Sequence, residues 1–432
     1  MTADKNHDTA FGFLKNPEER RIVVAGFFLL FCVLGGYFAV RPVRETIGTI
    51  IGREATQNLW IFTAIFALMI VPLYGWLVAH VRRSILLPCI YGFMAAGFVA
   101  TALVFQSHTE GAAFAKVFYV WISVMNVMLV SVFWSFMLEI LSSGQSKRLF
   151  GPIFAGGTAG AFIGPFITGR IVLEVGNVGV LYLGAAMFVV AIVLQRYLFA
   201  VWRRTAPTAS EAMAVNDRER ALGGNPFAGF ALVFRSPYLT GIALFIVGIS
   251  AINTFLYFEQ LQLVEDQFEE IAKRTQVFAN LDAIVQGLVI ITQLFLTGFI
   301  ATRFGVTVLL VLVPIVMVFG LGVYAVSDTF VVLAVAMVVR RWGEYALIRP
   351  GREMLFSKVD RESKYKAKNL CDVAVYRVAD AGFAQIKKLL DALNMSGGAQ
   401  ALVAAVAATL WAFNGWWLGR RHEKMKEVGK GE

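Results

Sequence analysis

Long apolar segments recur along the whole chain, and they constrain the fold more than any other feature of the sequence. A helix needs about 20 mainly apolar residues to cross the hydrocarbon core of a bilayer, and backbone groups inside lipid must bond one another. The sequence therefore predicts an all-α membrane protein with twelve transmembrane helices. The expected spans lie near residues 22–46, 58–79, 85–106, 113–140, 150–173, 178–200, 237–260, 275–301, 306–326, 329–348, 367–393 and 398–419.

Composition agrees with a membrane protein, because 58% of the residues are hydrophobic and only 16% are charged. A soluble domain has about 45–50% and about 25% of these classes, so a soluble enzyme and a disordered chain are excluded. The cysteines Cys32, Cys89 and Cys371 lie in apolar runs, without a metal-binding or redox spacing. We expect no cofactor and no metal. The first span is too long for a signal peptide, and no small-residue cleavage site follows it before Arg41.

Basic residues alternate between loops, which predicts the orientation of the chain. The loops assigned to the outside hold only Arg53, Lys116, Lys273 and Arg274, whereas the other loops and both ends hold many more. By the positive-inside rule, both termini and the 201–236 segment are cytoplasmic. This arrangement predicts a multi-pass protein of a bacterial inner (cytoplasmic) membrane. It also explains the net charge of +10 without a nucleic-acid partner.

The polar segment 201–236 falls midway along the chain and predicts a duplicated architecture. The second span ends in "WLVAHVRRSILLP" and the eighth in "FIATRFGVTVLLV", so both halves place a short basic turn between two apolar helices. Two six-helix bundles of the major facilitator type follow from this pattern. The expected parts are an N-terminal segment (1–21), the first bundle (22–200), the linker (201–236), the second bundle (237–419) and a tail (420–432).

Ionisable residues inside the first span are the first candidates for a solute site, since charge in a span usually faces a cavity or a partner. Arg41, Arg44 and Glu45 share one helix face in "GYFAVRPVRETIG". The alternative is that they anchor the helix at the outer interface.

Two acidic residues in the fourth and eighth spans are candidate coupling or gating groups. Glu139 stands two residues before a polar loop, where pairing with Lys147 or Arg148 is the competing interpretation. Asp282 lies about two turns inside the eighth span, one turn from Gln286.

The tenth and eleventh spans hold the deepest charges. Arg340 and Arg341 precede Glu344, which is spaced to form an ion pair with Arg340 on one helix. Arg377 and Asp380 share a helix face, where a neutral structural pair competes with a substrate or proton path.

Glycines spaced by four residues in the fifth span predict a close helix contact. Gly156, Gly160 and Gly164 lie in "GPIFAGGTAGAFIGPFITG", which lacks the lysine of a phosphate-binding loop. We therefore interpret them as a packing face.

Three segments resemble the nucleotide (ATP/ADP) translocase family of plastids and intracellular bacteria. They are "AVRPVRETIG", "FMLEILSSGQSKRLFG" and "EYALIRPGREMLFSKVDRESKYKAKNLCDVAVYR". The resemblance implies a major-facilitator transporter of nucleotides. Matching functional positions of that family are Arg41, Arg44, Glu45, Glu139, Lys366, Lys368, Asp372 and Arg377.

The chain also departs from that family's pattern at charged positions. Arg44 stands for a lysine, Asp380 stands where a lysine is expected, and Arg349 replaces an aspartate. Because these charge reversals change the charged groups available to bind an anion, we predict that the protein does not exchange ATP for ADP.

The sequence as a whole predicts a secondary transporter, not an enzyme, for an anionic or zwitterionic solute, with nucleotide-like solutes as one class. Arg41, Arg44, Arg340 and Arg377 would bind the solute, and coupling would use protons or a counter-substrate. Transport would occur by alternating access, in which the two bundles rock about a central cavity. The alternatives are a non-transporting receptor or scaffold on the same fold, and a membrane-embedded enzyme acting on lipid. The expected coupling or gating residues are Glu45, Glu139, Asp282, Glu344 and Asp380.

Overall fold

Helices account for nearly all of the computed structural model, which describes residues 17–107, 111–205, 228–327, 329–359, 367–368 and 370–428. No strand occurs in those ranges. The helices are α1 (Pro17–Ile51), α2 (Arg53–His80), α3 (Arg83–Gln106), α4 (Ala112–Ile140), α5 (Ser143–Thr205), α6 (Ala228–Arg235), α7 (Pro237–Gln267), α8 (Ile271–Phe295), α9 (Thr297–Ser327), α10 (Phe330–Gly343), α11 (Arg349–Leu355), α12 (Tyr376–Ala392) and α13 (Gly397–Val428). Two π-helical segments, Glu344–Ile348 and Leu370–Val375, precede α11 and α12, and a 3₁₀ turn spans Phe356–Lys358.

Nine helices in the described ranges are long and apolar enough to cross a membrane. One of them, within α5, contains both the fifth and the sixth expected spans. The tenth and eleventh expected spans are not among the nine, since their helices are short or carry several charged residues. All twelve expected spans nevertheless fall on helical segments of the described chain, so the all-α prediction is confirmed.

Two glycines interrupt long helices. Gly176 has φ of 64° inside α5, and Gly305 has φ of 78° inside α9. This left-handed region is costly for residues with a Cβ. Both breaks fall between the segments expected to be separate spans, 150–173 and 178–200, and 275–301 and 306–326.

The eighth expected span differs from the structure, because a turn at Leu296 separates α8 from α9. The Thr297 hydroxyl donates to the carbonyl oxygens of Thr292, at 3.2 Å, and of Ala346, at 2.8 Å. The side chain therefore satisfies backbone acceptors at the break, which is what apolar surroundings require.

The packing divides the chain into two compact units. Unit 1 contains Met1–Arg44, Val71–Gly223 and Thr275–Ala283, and unit 2 contains Glu45–Ile70, Gly224–Arg274 and Ile284–Glu432. The end of α1, most of α2 and part of α8 thus pack with the unit that holds the other half of the sequence. The boundaries at 22–200 and 237–419 for the two bundles stay a prediction.

Unit 1 confirms the glycine packing face. A Cβ on Gly156 would lie 2.1 Å from the Phe27 carbonyl oxygen, and one on Gly160 would lie 2.4 Å from that of Phe31. At Gly164 the corresponding distance to the Gly35 oxygen is 2.4 Å. Only glycine allows α5 to approach the α1 backbone this closely.

Unit 2 has a large apolar core formed by α7, α9, α10 and α13. Phe245 and Trp411 contact each other in it, with ring centroids 5.7 Å apart. A Cβ on Gly415 would lie 3.1 Å from the Leu310 carbonyl oxygen, so α13 lies close against α9. This core fixes the helices that carry most of the buried charge.

Candidate functional site

The arginines of α1 lie in unit 1 with polar partners. The Nη1 atom of Arg41 lies 3.5 Å from Oδ2 of Asp282, whose side chain is 4% exposed. Arg44 donates from Nη1 to the Ser123 hydroxyl at 3.1 Å, and its guanidinium lies 5.4 Å from the centre of the Tyr119 ring. The structure therefore brings three expected site residues together along α1.

Two further acidic site candidates, Glu45 on α1 and Glu139 on α4, have different surroundings. Glu45 is 5% exposed in unit 2 and accepts a hydrogen bond from the Tyr257 hydroxyl at 2.8 Å. Glu139 is half-buried near the end of α4. Arg148, one of its two expected partners, forms an ion pair with Glu19 at 3.0 Å. The Lys147 side chain lies outside the described parts of the structure.

Glu344 is the centre of a charge cluster in unit 2, in which Arg340 is buried and the Arg349 side chain is 52% exposed. Its Oε2 lies 2.8 Å from Arg340 Nη1, and its Oε1 lies 3.3 Å from Arg349 Nη2. The expected Arg340–Glu344 pair on one helix is thus confirmed. Arg341, the neighbouring residue, is 6% exposed. One carboxylate with two guanidinium partners leaves this group with a net positive charge.

The same region contains both π-helical segments, which are rare and frequent at functional sites. Carbonyl groups of the segment Glu344–Ile348 accept side-chain bonds from the α8–α9 region. Gln293 donates to the Tyr345 oxygen at 3.1 Å, and Thr297 donates to the Ala346 oxygen. Side chains of α8 and α9 therefore stabilise the irregular backbone beside Glu344.

Asp380 does not form the ion pair with Arg377 that its spacing suggested. Its Oδ1 accepts a hydrogen bond from the Ser250 hydroxyl of α7 at 2.5 Å, and both side chains are buried. In the described chain, no carboxylate lies within ion-pair distance of Arg377, which is half-buried. Sharing a helix face was not sufficient, because α7 offers a closer donor. The charges of Arg340, Glu344 and Arg377 interact electrostatically with the carboxyl group of Asp380.

A second buried polar network in unit 2 was missed by the sequence reasoning. Lys387 is 3% exposed, and its Nζ lies 2.6 Å from Glu259 and 2.8 Å from Asp391. Arg53 lies 3.8 Å from Glu259 and 3.3 Å from Asp391. The remaining members are Gln57, Gln400 and Tyr324, which donate to these carboxylates.

We name this seven-residue set the Lys387 network. The spacing of four residues between Lys387 and Asp391 was a readable signal, as was Glu259 within the apolar run "FLYFEQLQL". Glu259 and Asp391 lie near the ends of expected spans, where a charged side chain is ordinarily interpreted as exposed to solvent. The tertiary fold, not the local sequence, buries them.

Two positions that resemble the nucleotide translocase family, Lys368 and Asp372, have ion-pair partners. Arg352 lies 2.9 Å from Asp372, and Lys368 lies 2.7 Å from Glu353. Lys366 lies outside the described residues. Within the described ranges, no group of three or more histidine, cysteine or acidic residues could hold a metal ion.

Two curated relatives are ADP,ATP carriers. This chain is 26% identical to ADP,ATP carrier protein 1 of Chlamydia muridarum over 97% of its own length and 91% of the carrier's. It is 25% identical to ADP,ATP carrier protein 1 of Chlamydia trachomatis serovar D, over 68% of this chain and 61% of that one. The expected resemblance to nucleotide translocases is therefore confirmed.

Solved transporter structures have the same fold at low sequence identity. A POT family transporter in complex with 5-aminolevulinic acid has a TM-score of 0.63 at 11% identity, covering 93% of this chain and 96% of that one. The nucleoside transporter NupG has a TM-score of 0.59 at 14% identity, covering 95% and 99%. These likenesses concern the fold alone.

A family model establishes the family directly. The model for the Major Facilitator Superfamily matches residues 26–347, which is well over half of the chain. The relatives and the family are transporters, so the enzyme alternative is dropped. The protein is a multi-pass membrane protein that works in a lipid bilayer on a small-molecule substrate. The chain is a secondary transporter that belongs to the Major Facilitator Superfamily.

Proposed function

We propose that the protein moves an anionic or zwitterionic solute across the inner membrane by alternating access. The observation that carries this proposal is the concentration of buried ionisable side chains on α10 and α12, each adjoined by a π-helical segment. Charged groups inside spans are costly to insert and usually mark a solute or ion path. The ADP,ATP carriers similar to this chain add nucleotide-like solutes as a class to be tested.

The charged residues divide into two proposed roles. The proposed solute-binding residues are arginines, because guanidinium groups match carboxylate and phosphate geometry. They are Arg41, Arg44, Arg340 and Arg377. Glu45, Glu139, Asp282, Glu344 and Asp380 act in coupling or gating, with a proton or a counter-substrate as the coupled species. Asp380 is the leading proton carrier, since it is buried and bonded to a neutral hydroxyl.

Reconstitution tests the transport function. Proteoliposomes preloaded with one unlabelled anion should accumulate the same labelled anion by counterflow, and Arg377→Gln should abolish the accumulation. Trp416→Phe on α13 is a matched control, because Trp416 is 45% exposed on an apolar helix surface. Absence of counterflow for every anionic and zwitterionic solute tested, at intact fold, would favour the receptor or scaffold alternative.

We also propose that both termini and the 201–236 segment are cytoplasmic, as the distribution of basic residues indicates. Cysteines introduced at Ala209 and Glu432 should resist a membrane-impermeant maleimide in intact cells and react after lysis. The native Cys89 is exposed and is replaced by serine first. Labelling of either new cysteine in intact cells would reverse the proposed orientation.

A further inference from the structure

Two opposite charges on α12 are held apart although they share a helix face. Arg377 and Asp380 are three residues apart, and their charges interact electrostatically. In the described chain, however, no carboxylate lies within ion-pair distance of Arg377, and no cationic group lies that close to Asp380. Charges inside a span are costly to insert and ordinarily pair with each other. The separation of these two therefore needs a physical reason.

The Ser250 hydroxyl of α7 provides that reason, because it occupies one oxygen of Asp380. Ser250 is 0% exposed, and it donates to Oδ1 of Asp380 at 2.5 Å. The other oxygen, Oδ2, accepts no hydrogen bond from the described residues, and Asp380 retains 7% exposure. The protein thus fixes one carboxylate oxygen and leaves the second for a ligand.

Arg377 is available in the same way. Its side chain is half-buried, and its guanidinium donates no hydrogen bond to any residue that the structure describes. Arg340, the buried arginine of α10, instead donates to Glu344 at 2.8 Å. A guanidinium group has five donors, and donors that are removed from water require acceptors. An anionic group of a solute would supply them to Arg377.

We propose that the solute is a zwitterion whose anionic group binds Arg377 and whose cationic group binds Oδ2 of Asp380. The inference rests on the proposed transport function and selects the zwitterionic class from the two classes proposed there. A simple anion would gain the contact with Arg377 but would be repelled by Asp380 on the same helix face. Such repulsion contributes to specificity as attraction does. A proton and the cationic group compete for the Asp380 carboxylate, which agrees with its proposed role in coupling.

The surroundings on α10 leave this arrangement of charge intact. Arg340 and Glu344 also interact electrostatically with Asp380, but they form an ion pair with each other, so their opposite effects largely offset. The π-helical segments Glu344–Ile348 and Leu370–Val375 adjoin these residues in sequence. Segments of this kind are frequent at functional sites.

Matched ligands that differ only in their charged ends test the inference on the purified wild-type protein. β-Alanine carries both charges, propionate carries only the anionic one, and propylamine carries only the cationic one. Phosphoethanolamine, ethyl phosphate and ethylamine form the same series with a phosphate group. Glycine and γ-aminobutyrate vary the distance between the two charges. A ligand of the folded state raises the melting temperature, so saturable shifts rank the members of each series.

In the series that binds more tightly, we expect the zwitterion to exceed its anionic and cationic analogues by on the order of tenfold, which is about the effect of one hydrogen bond to a charged group. Equal or tighter binding of the anionic analogue would overturn the inference and leave anion transport intact. Counterflow of an anion, without a shift by any zwitterion, would do the same. No shift by any member and no counterflow of any solute tested would overturn the transport proposal as well.

Two substitutions should change the preference in different ways. Asp380→Asn removes the repulsion, so the anionic analogue should gain on the order of tenfold relative to the zwitterion. Arg377→Gln removes the group that binds the anionic end, so the zwitterion should lose its advantage over the cationic analogue. The two variants are independent, so one that fails to fold leaves the other decisive. An unchanged preference in a folded variant would contradict the assignment of that residue.

Glu353→Gln is the matched control. Glu353 pairs with Lys368, its side chain is 48% exposed, and the substitution removes the same single negative charge as Asp380→Asn. It should leave the ranking of each series unchanged. If it moves the ranking as Asp380→Asn does, the selectivity comes from net charge alone and the assignment to Asp380 is wrong.

Discussion

Units 1 and 2 stabilise their helix contacts by different means. In unit 1, glycines bring α5 against the α1 backbone, and a Cβ at Gly156, Gly160 or Gly164 would lie within 2.4 Å of a carbonyl oxygen. In unit 2, ionic groups join different helices in the Lys387 network, where Lys387 of α12 pairs with Glu259 of α7. Because the backbones of α1 and α5 lie so close together, these two helices can pack in only one arrangement. Charged side chains can change partners while their helices shift slightly, so we expect solute-dependent change to occur mainly in unit 2.

The largest effect should come from breaking the Lys387 network. Lys387→Met leaves the carboxylates of Glu259 and Asp391 with the more distant Arg53 as the one remaining cation of the network, so the free energy of unfolding should fall by about 3–5 kcal/mol. The additional change Glu259→Gln removes one uncompensated charge and should restore part of this loss. An SDS-unfolding titration in mixed micelles measures both.

The neighbouring Lys388 provides the control for that experiment. It forms an ion pair with Glu54, and the two side chains are 33% and 76% exposed. Lys388→Met should change stability by only about 0–1 kcal/mol, as exposed pairs do. Equal losses for Lys387→Met and Lys388→Met would mean that burial does not distinguish the two lysines.

The glycine face of unit 1 should be the next most sensitive feature. In Gly160→Ala, the new Cβ would lie 2.4 Å from the Phe31 oxygen and 2.9 Å from the Gly35 nitrogen, which are backbone atoms. The helices must move apart, and overpacking of this kind costs about 1–3 kcal/mol. Gly151→Ala on the same helix should be neutral or stabilising, because nothing lies within 4 Å of its Cβ position. A stable Gly160→Ala protein would show that α1 and α5 are not held this closely.

These two regions also differ in how far the sequence predicted them. The glycine spacing of four residues is a local pattern, and it predicted a close-packing face on α5 without knowledge of the partner helix, which the structure shows to be α1. The Arg340–Glu344 pair was predictable for the same reason, since both residues lie on one helix. The bond from Ser250 to Asp380 and the ion pair of Lys387 with Glu259 each join residues about 130 positions apart in sequence. Local spacing carries no information on such partners.

Asp380 allows a finer test of the ionic arrangement in unit 2. Ser250→Ala removes the hydroxyl that donates to Asp380 at 2.5 Å, and a hydrogen bond to a charged group contributes about 1.5–3 kcal/mol. The stability loss should fall in or just below this range, and Ser250→Thr should retain most of the bond. Thr254→Val, one turn along α7 at a residue that is 1% exposed, is the matched control. A loss in Thr254→Val equal to that in Ser250→Ala would assign the effect to general packing.

The smallest expected effect is the direct coupling between Arg377 and Asp380. Because Asp380 accepts from Ser250 and no carboxylate lies within ion-pair distance of Arg377 in the described chain, the two residues interact electrostatically without a direct contact. In a double-mutant cycle of Arg377→Gln and Asp380→Asn, the coupling free energy should therefore lie at the low end of the range of about 0.5–3 kcal/mol for interacting residues. The parallel cycle of Ser250→Ala and Asp380→Asn should give a larger value. Counterflow measured on the same variants separates the roles, since Arg377→Gln should abolish transport at little cost in stability. A large Arg377–Asp380 coupling would restore the ion pair that the spacing first suggested.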